Sequence, residues 1–224
     1  MLIVRAFAGL AFLMALIGAT LFVAAGDWRY GQAWAFLVVF GVSVLAITLY
    51  LIMKDRALLE RRVAAGPLAE KQAAQKLIQA VAGLAFIAIF VVAGLNHRFG
   101  WTRGDAPRMA LAGDGLVAVG LLIIFLVFKT NTFTSGTIEV APDQRVISTG
   151  PYRIVRHPMY AGALIMLTGV PLALDALTAF LAVVPLGAVL VVRLLAEERF
   201  LMRNLPGYDA YRDRVRKRLV PLLW

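Results

Sequence analysis

Ser148-Thr149-Gly150-Pro151-Tyr152-Arg153-Ile154-Val155-Arg156-His157-Pro158-Met159-Tyr160-Ala161-Gly162 decides how this 224-residue chain is read. The stretch is polar and punctuated by Gly and Pro, and long apolar runs lie on both sides of it. It holds one of only two histidines in the chain, with Arg156, Pro158 and two tyrosines around it. Polar and ionisable groups are costly next to hydrocarbon, so a cluster of them there calls for a function. A second cluster, Arg193-x-x-x-Glu197-Glu198, sits inside a later apolar run. The expectation is that the two clusters meet to form the site and that the rest of the chain is scaffold.

Working outward, 61% of the residues are hydrophobic and only 16% are charged, against about 25% charged in ordinary soluble domains. The apolar residues are gathered into runs of about 20, the length of a membrane-crossing helix. Spans are expected near Leu2–Ala25, Ala33–Met53, Leu77–Leu95, Met109–Phe128, Met159–Leu174 and Ala176–Ala196. The first run is too long for the core of a secretory signal and is kept as a helix. The fifth is short, closed by Pro171 and Asp175, and makes a tight hairpin with the sixth. Asp55–Ala65 reads as a surface helix broken by Gly66-Pro67. The fold class is therefore an all-α integral membrane protein of about six transmembrane helices. Residues 1–130 form a four-helix scaffold. Residues 131–224 hold a re-entry loop, the helical hairpin and a basic tail, and the hairpin and tail form the site.

Charge sorting sets the orientation. Of 23 Lys and Arg, 18 fall on the side of the N-terminus and four on the other, while Arg193 lies within the last span. Positive residues stay in the cytoplasm. Both termini and both polar clusters are expected there, in an inner or plasma membrane. Net charge +10 then concerns lipid orientation rather than nucleic acid, and no nucleic-acid partner is expected. With no cysteine, disulfides, thiolate nucleophiles and Cys metal sites are excluded. No metal constellation, phosphate-cradling Gly loop or dinucleotide fingerprint is present.

Pro158 suits the first turn of a helix, where its missing N–H is not needed. His157 then stands at a helix N-terminus, an end that favours an anion. Arg156 adds charge, Tyr152 and Tyr160 add aromatic faces, and Gly162 allows close approach. The bland alternative is an interfacial histidine anchoring a helix end. Arg193 and Glu197 share one helix face, which fits an i,i+4 ion pair as well as a ligand site. An arginine inside an apolar run is well suited to bidentate contact with a carboxylate or phosphate. Asn96-His97 reads as an interfacial boundary, Asp114 as a helix-start charge and Gly113-x-Gly115 as helix packing. Tyr208 and Tyr211 read as a tail helix on the membrane surface that closes the site, and Arg212–Arg218 as a lipid-phosphate face.

The ordered set Gly150-Pro151-Tyr152-x-x-x-Arg156-His157-Pro158-x-Tyr160-x-Gly162, Arg193-x-x-x-Glu197-Glu198-x-x-Leu201, Gly207-Tyr208-x-x-Tyr211 and Val215…Pro221 resembles the isoprenylcysteine carboxyl methyltransferase family, with the related membrane phospholipid methyltransferases. The resemblance covers about the last 85 residues. It implies S-adenosylmethionine as methyl donor. The donor would be held by a strand-like stretch, Gln144, Arg145, Val146 and Ile147, and by Tyr152. Arg156, His157, Pro158, Met159, Tyr160 and Glu197 would complete its site, with Glu198 in support. Arg193 would meet a substrate carboxylate, and Arg193 and Glu197 would be the catalytic pair. The implied function is methyl transfer to a lipophilic small molecule or lipidated carboxylate, in contact with membrane lipids.

Transfer to an ionised carboxylate needs alignment rather than a base. An amine or thiol acceptor would need one, from Glu197, Glu198 or His157. The alternatives are accordingly a phospholipid N-methyltransferase, a thiol S-methyltransferase, a reductase of the sterol-reductase type using NADPH, or a non-catalytic transport or assembly protein.

Overall fold

A computed structural model describes residues 1–64, 70, 73–102, 106–141, 143–221 and 224. Its helices are α1 (Leu2–Ala25), α2 (Gly31–Lys54), α3 (Arg56–Val63), α4 (Ala73–Phe99), α5 (Ala106–Thr130), α6 (Pro158–Ala173), α7 (Phe180–Asn204) and α8 (Tyr208–Arg214). Gly66-Pro67, expected to end the surface helix, lie outside the described residues, as do Arg103 and Asp105 of the α4–α5 connection.

Five of these, α1, α2, α4, α5 and α7, are long and apolar enough to cross a membrane. The expected fifth span, α6, has 16 residues. At 1.5 Å per residue it is about 24 Å long, short of a hydrocarbon core of about 30 Å. The count of membrane-length helices among the described residues is therefore five, with α6 a shorter sixth member of the bundle. Phe12, Val38, Val42, Leu84, Leu111, Leu181 and Val184 are exposed on the outer faces. Such surface is costly in water and matched to lipid.

The helices alternate in direction. At one end of the bundle the Tyr30 hydroxyl, between α1 and α2, donates to the Leu174 carbonyl after α6. Asn96 near the end of α4 reaches the Asp175 carbonyl at 3.2 Å. At the other end Ala6 of α1, Leu51 of α2, Leu58 and Leu59 of α3, and Val127 and Phe128 of α5 share one cluster. Asp55 ends α2 and caps α3 through its side chain, which accepts from the Leu58 N–H at 2.9 Å.

The hairpin partner of α6 proves to be α5 at least as much as α7; α5 and α6 make the most extensive helix pairing. Small residues allow it. A methyl group on Gly120 would lie 2.5 Å from the Gly162 carbonyl oxygen, and one on Gly113 would lie 2.1 Å from the Ala173 nitrogen. In lipid, where apolar helix faces gain little by leaving the solvent, such backbone approach supplies the dispersion contact that holds helices together. Gly115 has open space beside it, so only the first glycine of Gly113-x-Gly115 serves packing. Pro171 lies inside the last turn of α6, and Asp175 follows in a left-handed conformation with φ 49°.

Candidate active site

The site lies at the end of the bundle where α6 begins and α7 ends. Gly150 has φ 56°, and a side chain there would strike Thr130, so Gly-Pro at 150–151 starts a tight 3-10 turn over Gly150–Arg153. The turn fixes Tyr152. Its hydroxyl accepts from Asn131 Nδ2 at 3.0 Å, and its carbonyl accepts from the Tyr211 hydroxyl at 2.9 Å. Pro158 opens α6 with His157 as N-cap, as the sequence leads one to expect.

The tail folds back over this end. The N–H groups of Arg156 and His157 donate to the carbonyls of Lys217 and Arg218 at 2.8 and 2.9 Å. Gly207, with φ 83°, turns the chain into α8 and brings Tyr208 and Tyr211 onto the site. A cleft results, lined by the loop from Asn131 to Ile147, by Tyr152 and Arg156–Tyr160, and by Glu197, Leu201, Leu205, Tyr208 and Tyr211. It brings together Gln144, Arg145, Val146, Ile147, Tyr152, Arg156, His157, Pro158, Met159, Tyr160 and Glu197. Gln144–Ile147 has no strand pairing and runs as irregular backbone; only Gln144 Oε1 ties back, accepting from the Ala141 N–H at 2.9 Å.

Two expected site residues stand outside the lining. Glu198 is buried and spans two cations: Arg156 Nε donates to Oε1 and Arg218 Nε to Oε2, each at 2.7 Å. Arg156 also donates to the Val215 carbonyl at 2.8 Å. Its charge is thus neutralised within the protein rather than offered to a ligand. Arg193 does not pair with Glu197 four residues on. It donates to Glu70 Oε1 at 2.8 Å, the Gly136 carbonyl at 2.7 Å and Gln75 Oε1 at 3.2 Å. Glu197 instead accepts from the Tyr160 hydroxyl at 2.6 Å. That leaves a carboxylate beside the aromatic surface of Tyr152, Tyr160 and Tyr208, where a cation would be favoured.

His157 is buried, and its Nε2 has no hydrogen-bond partner; the Tyr208 hydroxyl is likewise buried and unpartnered. Burial pushes the imidazole down to about 4, with Glu198 opposing and Arg156 and Arg218 assisting. The ring is neutral at physiological pH and can donate or accept one hydrogen bond. Burial raises the phenols of Tyr152, Tyr208 and Tyr211 above their usual range, so all three stay protonated. Unpaired buried polar atoms are uncommon in folded chains, and two on one cleft wall suit a polar ligand.

Sequence reasoning missed Glu70, Gln75, Asn131 and the cleft-lining run from Phe133 to Glu139. Glu70 lies in a charged loop among other charged residues, and nothing in its neighbours marks it. Asn131–Glu139 stands out only as the polar start of the expected re-entry loop.

Residues 109–206 match the family model of phospholipid methyltransferases, a family related to the isoprenylcysteine carboxyl methyltransferases. The matched segment runs from α5 to just past α7 and holds every cleft element except the tail. No curated protein matches the chain. The chain thus combines five helices long and apolar enough to cross a membrane with a segment similar to the phospholipid methyltransferases.

Proposed function

We propose that this protein moves a methyl group from S-adenosylmethionine to a lipophilic acceptor at the membrane surface. The observation that carries this is one cleft, built from the family-matched segment and closed by the tail, where the Glu197 carboxylate, the rings of Tyr152, Tyr160 and Tyr208 and the unpartnered His157 Nε2 converge. S-adenosylmethionine would supply an activated methyl group on a sulfonium. The faces of Tyr152 and Tyr160 and the Glu197 carboxylate suit that cation. The neutral His157 imidazole and the Tyr208 hydroxyl suit the donor's polar ends, and Gln144–Ile147 its flat heterocycle. Arg156 and Glu198 act from behind: their ion pair fixes the backbone that presents His157.

The first acceptor class is a lipophilic carboxylate, which is ionised and needs only alignment. The resemblance gives that carboxylate to Arg193, but Arg193 is already held by Glu70, Gly136 and Gln75. The amine of a phospholipid is the second class, favoured by the pairing of Arg193 with Glu70 and by Glu197 standing free of any arginine within 4 Å among the described residues. Glu197 would then take the proton from the amine. In both cases residues 1–130 are scaffold, and the cleft and both termini face the cytoplasm. Because the chain lacks cysteine, single-cysteine variants labelled from either side of intact vesicles test that orientation.

The deciding experiment is binding of S-adenosylmethionine, or its demethylated product, to the detergent-purified protein, with His157→Ala and Glu197→Ala alongside. Micromolar binding, lost in both folded variants, is expected. A well-folded protein without binding would leave the non-catalytic alternative standing in its place.

A further inference from the structure

The guanidinium assigned to the acceptor by resemblance is already engaged. Arg193 donates to Glu70, Gly136 and Gln75, and the Glu70 side chain is 2% exposed. A ligand anion could take Arg193 only by leaving that acid buried without its cation, a strongly unfavourable exchange.

A second guanidinium stands nearby without an acid of its own among the described residues. Arg62, in the last turn of α3, lies 4.9 Å above the Phe128 ring, and Nη1 reaches the Ser135 carbonyl at 3.4 Å, long for an N–H···O bond. Among the described residues no carboxylate lies within 4 Å of it. Ser135 lines the cleft, and Phe128 packs in one cluster with Tyr152 and Met159, which line it too. Arg62 also lies within electrostatic range of Arg193 and of Tyr160 on the cleft wall. Its neighbour Arg61 is fastened to the Thr132 carbonyl and fixes the helix against the loop. The short helix α3 directly follows the membrane-length α2, so its last turn belongs at the depth of lipid headgroups. An arginine there, stacked on an aromatic ring and lacking a counter-ion, is shaped for an oxyanion.

We propose that Arg62, rather than Arg193, receives the oxyanion of the lipid acceptor, a carboxylate or a phosphate diester on a long apolar chain. This rests on the methyltransferase reading only for calling that lipid the acceptor; the binding step is separate and can be measured without turnover.

The test is equilibrium binding of radiolabelled oleate, of dioleoylphosphatidylethanolamine and of oleylamine, each in mixed micelles with the purified protein. Affinity for the demethylated donor is measured on the same samples. Arg62→Gln should weaken the anion-bearing probe by about tenfold to a hundredfold, the range for a charged hydrogen-bonded contact. Oleylamine and donor-product affinity should not change. Arg193→Gln should lower the melting temperature, because it strands Glu70, and leave probe affinity within about threefold. Loss with oleate alone identifies a carboxylate, and loss with the phospholipid a phosphate. If Arg62→Gln does not fold, Arg62→Lys decides, with a loss of about threefold to tenfold expected because the planar fork is gone. Wild-type affinity in the folded Arg62 variant, loss on Arg193→Gln instead, or no anionic lipid binding to the parent protein overturns the proposal. Lipid binding without donor binding would leave Arg62 standing and remove the methyltransferase reading.

Discussion

Asn96 and His157, buried at opposite ends of the bundle, are treated in opposite ways. At the end away from the cleft, Asn96 is buried and uses its whole amide. Its Nδ2 donates to the Thr102 and Asp175 carbonyls, and its Oδ1 accepts from the Thr102 N–H, the Thr102 hydroxyl and the Thr178 hydroxyl, all within 3.2 Å. At the cleft end, His157 Nε2 and the Tyr208 hydroxyl are as deeply buried and have no partner. A saturated polar network joins helices and asks for nothing more. An unsaturated one keeps its hydrogen-bonding capacity for something outside the chain. His97 and His157, the only two histidines, fall on opposite sides of this divide. His97 stacks on Tyr30, its centroid 3.9 Å away, and lies 3.3 Å from Asp27. His157 faces the cleft.

The comparison can be broken at several points. The largest effect is expected from Glu198→Gln, which leaves the buried Arg156 with no anion. Loss of one partner of such a pair costs about 3–5 kcal/mol. Chemical denaturation in detergent should show it, and donor affinity should fall with it because His157 is no longer held. Acid comes next. The unfolded imidazole titrates near 6.5 and the folded one near 4, so the unfolded state binds the extra proton between these values. Stability present above about pH 6.5 is then lost as pH falls towards 4, by on the order of 3 kcal/mol. His157→Phe should flatten that profile, and a profile unchanged in the variant would place the proton elsewhere.

Asn96→Ala sharpens the contrast from the other end. It should lower stability by about 2 kcal/mol by stranding Thr102, Thr178 and the Asp175 carbonyl, while donor affinity of the folded protein stays at the parent value. Tyr208→Phe is the smallest change. It removes a hydroxyl without a partner, so the melting temperature should hold or rise slightly. Affinity for the donor product should fall by up to about tenfold, the weight of one neutral hydrogen bond. Unchanged affinity would mean that the ligand does not use this hydroxyl.

Much of this was legible in the chain itself. The apolar runs gave the helices because length and composition alone set a membrane span, and the starts and ends of α1 and α6 fall within one residue of expectation. Pro158 marked the start of α6 because proline needs no hydrogen bond there. Of the residues expected around the donor, Gln144–Ile147, Tyr152, Arg156–Tyr160 and Glu197 fall on one cleft because the Gly-Pro turn and the α6 start act locally, while Glu198 stands behind it. The points the sequence left open are those where distant segments compete for one charge. From the sequence, Arg193 has Glu197 as its nearest acid on the same face. In the fold Glu70, 123 positions away, takes it.

The sequence by itself determined that the chain is helical and membrane-embedded, where its polar segment begins α6, and which residue types converge on it. Those properties follow from hydrophobic length, proline and glycine backbone limits and the cost of charge near hydrocarbon. Only the tertiary structure decided which charges are consumed, Arg156 by Glu198 and Arg193 by Glu70, and which is left with a hydroxyl alone, Glu197 beside Tyr160. Among the described residues it also left His157 Nε2 and the Tyr208 hydroxyl without a hydrogen-bond partner, and Arg62 without a carboxylate within 4 Å. Pairing depends on distance in space, which falls off over a few ångströms and bears no relation to separation along the chain.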